Sequence, residues 1–170
     1  IGTGTSDFVA SSGYTIPLGQ WSHVAVTIDA TSPANGTILL FINGSLAATR
    51  NGANFTTQTS YYGAPSIGTA VNQYSNSFYG YISNLRLVKG SPVYTSNFTP
   101  STTPLTAITN TKLLTCQSNR FIDNSTNALT LTLNGAPKIQ TQNPFQNNSG
   151  QCYYFDGTGD YLTSPYKSLY

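Results

Sequence analysis

All five acids of this 170-residue chain are aspartates: Asp7, Asp29, Asp123, Asp156 and Asp160. Retaining hydrolysis of a glycosidic bond calls for two carboxyl groups about 5–5.5 Å apart, one of them with a raised pKa. Asp156 and Asp160 stand four residues apart around Gly157 and Gly159, a spacing that puts them in a turn rather than on one strand face. His23 is the single histidine, set beside Trp21, Val24 and Val26 with no aspartate at a useful spacing. It reads as a strand residue of the scaffold, not as the base of a catalytic triad. The chain is therefore expected to be no enzyme.

Binding chemistry is better represented. Tyr61, Tyr62, Tyr74, Tyr79 and Tyr81 stand among Asn54, Gln58, Asn72, Gln73 and Asn76. Aromatic faces can stack on the apolar faces of sugars while side-chain amides bond their hydroxyls, and a surface of Tyr, Ser and Asn is a general recognition composition. Tyr61, Tyr62, Asn72, Tyr74 and Asn76 are the candidate ligand-binding residues. The same tyrosines could instead close a core or meet another protein. Cys116 and Cys152, 36 positions apart, have no metal-ligand spacing. They are read either as a disulfide or as two buried free thiols.

Charged residues make up 7% of the chain, against 38% hydrophobic and 12% aromatic residues, with a formal net charge of +2. The apolar content suffices for a core, so the low charge implies an exterior of hydroxyls and amides rather than disorder. Seven scattered Lys and Arg residues provide no basic run to follow a phosphate backbone, which argues against nucleic acid. No apolar stretch approaches 18 residues and no leader pattern is visible, so neither a membrane span nor a secretion signal is expected.

The elements that would position these residues are strands. Trp21–Ile28 and Thr37–Ile42 are β-branched or alternating runs separated by a turn carrying Pro33 and Asn35-Gly36. Asn43-Gly44 suits a type I′ hairpin turn into Ser45–Thr49. A short strand is expected at Ser66–Gly68 and a long one over Phe78–Val88, with Tyr79, Tyr81, Ser83, Leu85 and Leu87 on one face. Strands are expected again at Leu113–Cys116, Ala128–Leu133 and Lys138–Gln140. Residues 90–112, with Pro92, Pro100 and Pro104, read as an extended arm. Helix is not expected. The fold class is all-β and antiparallel.

Gly19–Thr27 and Gly36–Gly44 resemble the central strands of the laminin G-like fold. More specific are Phe78-Tyr79-Gly80-Tyr81-Ile82-Ser83-Asn84-Leu85-Arg86-Leu87-Val88-Lys89-Gly90, Val93–Pro100 and Leu113–Ser125. This sequence resembles the laminin G-like, concanavalin A-like repeats of tailed-phage structural and fibre proteins and of bacterial surface adhesins. The resemblance implies a two-sheet, jelly-roll-like sandwich. It also implies a virion-surface or extracellular module that binds cell-surface carbohydrate and meets other copies of itself or neighbouring repeats. Relatives bind calcium at a sandwich rim, which makes Asp156 and Asp160 its candidate ligands here. Asp123 is a further candidate.

In that family Phe155-Asp156-Gly157-Thr158-Gly159-Asp160-Tyr161-Leu162 would be an opening strand, yet here it comes last. The expected division is a sandwich over 1–142, a linker over 143–151, and over 152–170 the opening strand of a next repeat or an exchanged strand. An excerpt of an array, a permuted domain and a strand-lending subunit all remain open. The rival functional reading is an architectural filament subunit assembled by strand exchange, without a glycan.

Overall fold

The computed structural model describes residues 14–55, 64–70, 73–145 and 150–165, with the side chains of 73–76 outside that description. Among the described residues every regular element is a strand and every strand pairing is antiparallel. Among these residues no helix is long and apolar enough to cross a membrane. The all-β, antiparallel reading holds. The chain forms two compact units, Ile1–Tyr61 with Ser91–Pro100, and Tyr62–Gly90 with Ser101–Tyr170.

The first unit carries β1 (Val24–Asp29), β2 (Gly36–Ile42) and β3 (Ser45–Ala53) in that spatial order. Asn43 and Gly44 take φ of 50° and 81°, the two positive values that a type I′ turn requires. Asn43 also holds the chain entering β1, since its Oδ1 accepts the His23 N–H at 2.8 Å while its own N–H donates to the His23 carbonyl. Residues 91–100 lie against this hairpin. Phe98 N–H donates to the Gly44 carbonyl at 2.9 Å, and Leu46 N–H donates to Asn97 Oδ1 at 2.8 Å. Tyr94 and Phe98 stack with centroids 3.6 Å apart, and both rings meet His23 and the fully buried Phe41 edge-on. His23 is thus held edge-on against the Tyr94 and Phe98 rings.

The second unit holds β4 (Ser66–Ile67), β5 (Thr69–Ala70), β6 (Gln73–Ser77), β7 (Tyr79–Ile82), β8 (Leu85–Val88), β9 (Thr111–Thr115), β10 (Thr132–Asn134), β11 (Lys138–Gln140), β12 (Cys152–Asp156) and β13 (Tyr161–Thr163). Its two three-stranded sheets run β11-β12-β7 and β10-β13-β4; β8 pairs with β9 and β5 with β6. Strands β12 and β13 are central in their respective sheets and are joined by the Asp156–Asp160 turn. Alternation turns Tyr153 and Phe155 inward, where with Cys116 and Leu162 they form a fully buried cluster. Burying each large side chain contributes about 1.5–3 kcal/mol. Residues 152–163 thus pack within the second unit.

Two expectations need correction. Phe78–Val88 is not one long strand, because Asn84 takes φ 56° and ends the ladder between β7 and β8. Its N–H donates to the Cys116 carbonyl and its Oδ1 accepts the Leu105 N–H. The break resets alternation, so Leu85 packs on the core although Tyr79 and Tyr81 face outward. Similarly, Ala128–Leu133 yields regular strand only from Thr132, because Ala128 takes φ 46° and the Leu129 N–H is drawn to Asp123 Oδ2.

Candidate functional site

Alternation over Tyr153–Asp156 in β12, which buries Tyr153 and Phe155, sends Tyr154 and Asp156 to the opposite face. Antiparallel register sets Tyr154 across from Tyr81, and Asp156 across from Tyr79, on β7. On the other side Lys138 of β11 is the partner of Tyr154. Directly opposed residues share a face and touch, so three phenol rings meet on the outside of this sheet. The Tyr81 and Tyr154 centroids are 5.1 Å apart at 45°, and Tyr79 meets Tyr154 edge-on at 6.1 Å. Tyr79 is 74% exposed and Tyr81 39%.

Charge frames this platform. Hydrogen bonds from the N–H and hydroxyl of Thr158, with help from Lys138, hold the Asp156 carboxyl below the usual carboxylate range. Asp156 is consequently an acceptor across the physiological range, beside the most exposed ring. A hydrogen bond with Tyr79 pushes the Tyr154 hydroxyl above its ordinary pKa, followed by desolvation and nearby phenol and carboxylate charge. The platform thus offers ring faces, hydroxyls, one carboxylate and one ammonium on a rigid sheet. Gly157 permits it: at φ 78° a Cβ there would lie 3.0 Å from the Tyr79 Cβ.

The other described acids are committed to backbone. Asp123 accepts N–H bonds from Leu114, Ser125 and Leu129 and the Ser125 hydroxyl, all within 3.0 Å. Asp29 binds the N–H and hydroxyl of Thr31. Asp160 is 3% exposed; its Oδ1 accepts from Ala136 N–H at 2.6 Å and its Oδ2 from Asp156 N–H at 3.2 Å. A hard cation needs several converging oxygens, whereas N–H donors converge on both oxygens of Asp160. Asp156 and Asp160 share a turn but do not fit a calcium ion. Among the described residues no three acidic, histidine or cysteine side chains gather in a group suited to a metal.

Cys116 and Cys152 are both fully buried free thiols. Burial pushes Cys116 far above its ordinary pKa and Cys152 up to about 11. Of the ligand-binding residues expected from sequence, Tyr61, Tyr62 and Asn72 lie outside the described residues. Tyr74 and Asn76 fall on β6, but their side chains lie outside them too. Tyr79 and Tyr81, noted in the same aromatic run, do reach the platform. Tyr154 and Lys138 were missed. The alternation of Tyr153–Asp156 could have found Tyr154, had that strand been paired with Phe78–Ile82.

A family model described as the concanavalin A-like lectin/glucanases superfamily matches residues 1–96. The chain belongs to that superfamily. Among curated proteins and among solved structures nothing matches it. The lectin-like match spans Tyr79 and Tyr81 but ends before Tyr154 and Lys138, so the superfamily strands supply half of the platform and the later strands β11 and β12 complete it. Membership makes the chain compatible with a carbohydrate-binding or adhesion module.

Proposed function

We propose that this chain is a non-catalytic glycan-binding adhesion module of a virion surface, in a tailed-phage fibre or capsid-surface protein. The observation that carries the reading is the Tyr79–Tyr154–Tyr81 cluster on the outer face of β7 and β12, with Asp156 and Lys138 at its margin. A sugar stacked on Tyr79 would have the Asp156 carboxylate within the same surface patch to accept its hydroxyl protons. Prealigned rings on a sheet lose little freedom on binding, which favours weak but productive contact. Multivalent display would raise the avidity of such contact through effective concentration.

The absence of Glu and the commitment of Asp29, Asp123 and Asp160 to backbone N–H groups support the non-catalytic part. The virion assignment rests on the resemblance of Phe78–Gly90 and Leu113–Ser125 to phage structural repeats. A glycan array probed with the isolated chain, and with Tyr79→Ala and Tyr154→Ala variants, tests the binding. Hits weakened in both variants are expected; an array blank for the wild-type chain overturns the reading. Labelling of intact virions with an antibody to this chain tests the location.

A further inference from the structure

Strands β12 and β13 form an arch: one strand enters the β11-β12-β7 sheet, the Asp156–Asp160 turn reverses the chain, and the other enters β10-β13-β4. This arch is central in both sheets and supplies Tyr153, Phe155 and Leu162 to the cluster at no exposure. Its seat is shaped for it. Gly68 has φ +93°, and a Cβ there would come within 2.6 Å of the Phe155 ring. The Tyr153 hydroxyl donates to the Arg120 carbonyl, and Ala136 N–H reaches Asp160. The turn carries closures of its own, Thr158 N–H to Asp156 and Asp156 N–H to Asp160, and is tied to β6 by the Gly159 N–H donating to the Ser77 hydroxyl.

We propose that the arch of one copy can occupy the seat of a second copy, joining chains by exchange of residues 152–163. The identity of the occupant follows from the seat, which pairs register by register with this segment: Tyr153 with Ile82 and Ile139, Leu162 with Leu133 and Ile67. A second copy carries the same residues and so the same fit. Without an arch, β7, β11, β4 and β10 would each present unpaired backbone edges, the usual invitation to strand addition. Exchange of identical elements is a low-cost route to association. Tyr154 and Asp156 travel with the arch, so exchange would build each Tyr79–Tyr154–Tyr81 platform from two chains and add the multivalency that the glycan reading uses.

Intramolecular seating competes at an effective concentration on the order of mM. The test therefore refolds two full-length copies, differing in isotope label, together from denaturant at high and at low concentration, and weighs the products by native mass spectrometry. Mixed-label dimers at high concentration, abolished when both copies carry Phe155→Ala and Leu162→Ala, are expected. Dimers that persist in those variants, or no dimer at any concentration, overturn the proposal. A second experiment mixes a copy with a blocked seat (Gly68→Leu) and a copy with a defective arch (Phe155→Ala, Leu162→Ala). Complementation predicts a protease-resistant heterodimer that neither copy forms alone; a mixture no more resistant than its components counts against exchange.

Discussion

Gly135 lies against the carboxylate of Asp160 so closely that a Cβ on it would come within 2.4 Å of Oδ1, and it holds φ +72° there. The pair closes the β10–β11 turn over the β12–β13 turn, since Oδ1 also takes the neighbouring Ala136 N–H. Gly135→Ala is expected to destabilise through left-handed strain and through displacement of the carboxylate. Asp160→Ala leaves the Ala136 and Asp156 N–H groups without their acceptor, a loss of at least ~2 kcal/mol, equivalent to a fall of about 4–8 °C in Tm. Differential scanning calorimetry checks both. An unchanged Tm in Asp160→Ala would remove the carboxylate from its structural role.

The buried thiols give a pH dependence of known sign. Cys152 is raised from the ordinary 9.0 to about 11, and burial shifts Cys116 and Tyr153 in the same direction. A group whose folded pKa exceeds its unfolded value contributes stability that is fully present below the unfolded pKa and lost as pH rises through the folded one. Stability should therefore be level near pH 8 and decline between pH 9 and about 11. Urea melts across that range measure the slope, which Cys152→Ala should reduce. In the native state at pH 8 neither thiol should react with a disulfide reagent, and both should react in guanidinium.

Phe98 and Gly44 make an equally specific pair in the first unit. A Cβ on Gly44 would lie 1.9 Å from the Phe98 carbonyl oxygen, at φ +81°. Gly44→Ala should expel residues 91–100 from the hairpin and strain the turn itself. Phe98→Ala should separate the two effects, leaving the turn intact while removing the ring that stacks on Tyr94 and meets Phe41. Limited proteolysis within 91–100 is expected to accelerate in both variants, while only Gly44→Ala should disturb the amide signals of Asn43 and Ser45. Equal cleavage of wild type and variants would deny the docking.

Local pattern was legible where one residue type had one conformational use. Asn43-Gly44 announced its turn, β2 began within a residue of its expected start, and β11 fell on Lys138–Gln140 as read. Legibility failed where a single backbone angle overrode alternation. Asn84 gave no sign in a run of β-forming residues that it would adopt φ 56°, yet it sends β7 and β8 to different partners. The platform was half legible for a related reason. Tyr79 and Tyr81 stood out as an aromatic run, but Tyr154 becomes their neighbour only through a pairing across more than seventy residues. Such long-range register is set by which faces must be buried, here Tyr153 and Phe155, and a local reading does not reach it.

Removing the exposed phenols should separate recognition from stability. Tyr79 is mostly in solvent and Tyr154 lies on the outer face, so alanine at either position should cost the fold little, as surface changes usually do. Each ring in an aromatic contact is worth about 0.5–1.5 kcal/mol, so each alanine should weaken glycan affinity by about two- to twelvefold. Tyr154→Phe keeps the ring face and loses only the hydroxyl held by Tyr79, so it should retain most of the affinity. Asp156→Asn keeps an acceptor but removes the negative charge, and should weaken binding without a change in Tm beyond a degree or two. Isothermal titration with a glycan identified on the array, beside thermal melts of the same variants, checks the set. If Tyr154→Phe fell as far as Tyr154→Ala, stacking would not be the source of affinity; if Tm fell in step with affinity, the rings would be acting through the fold instead.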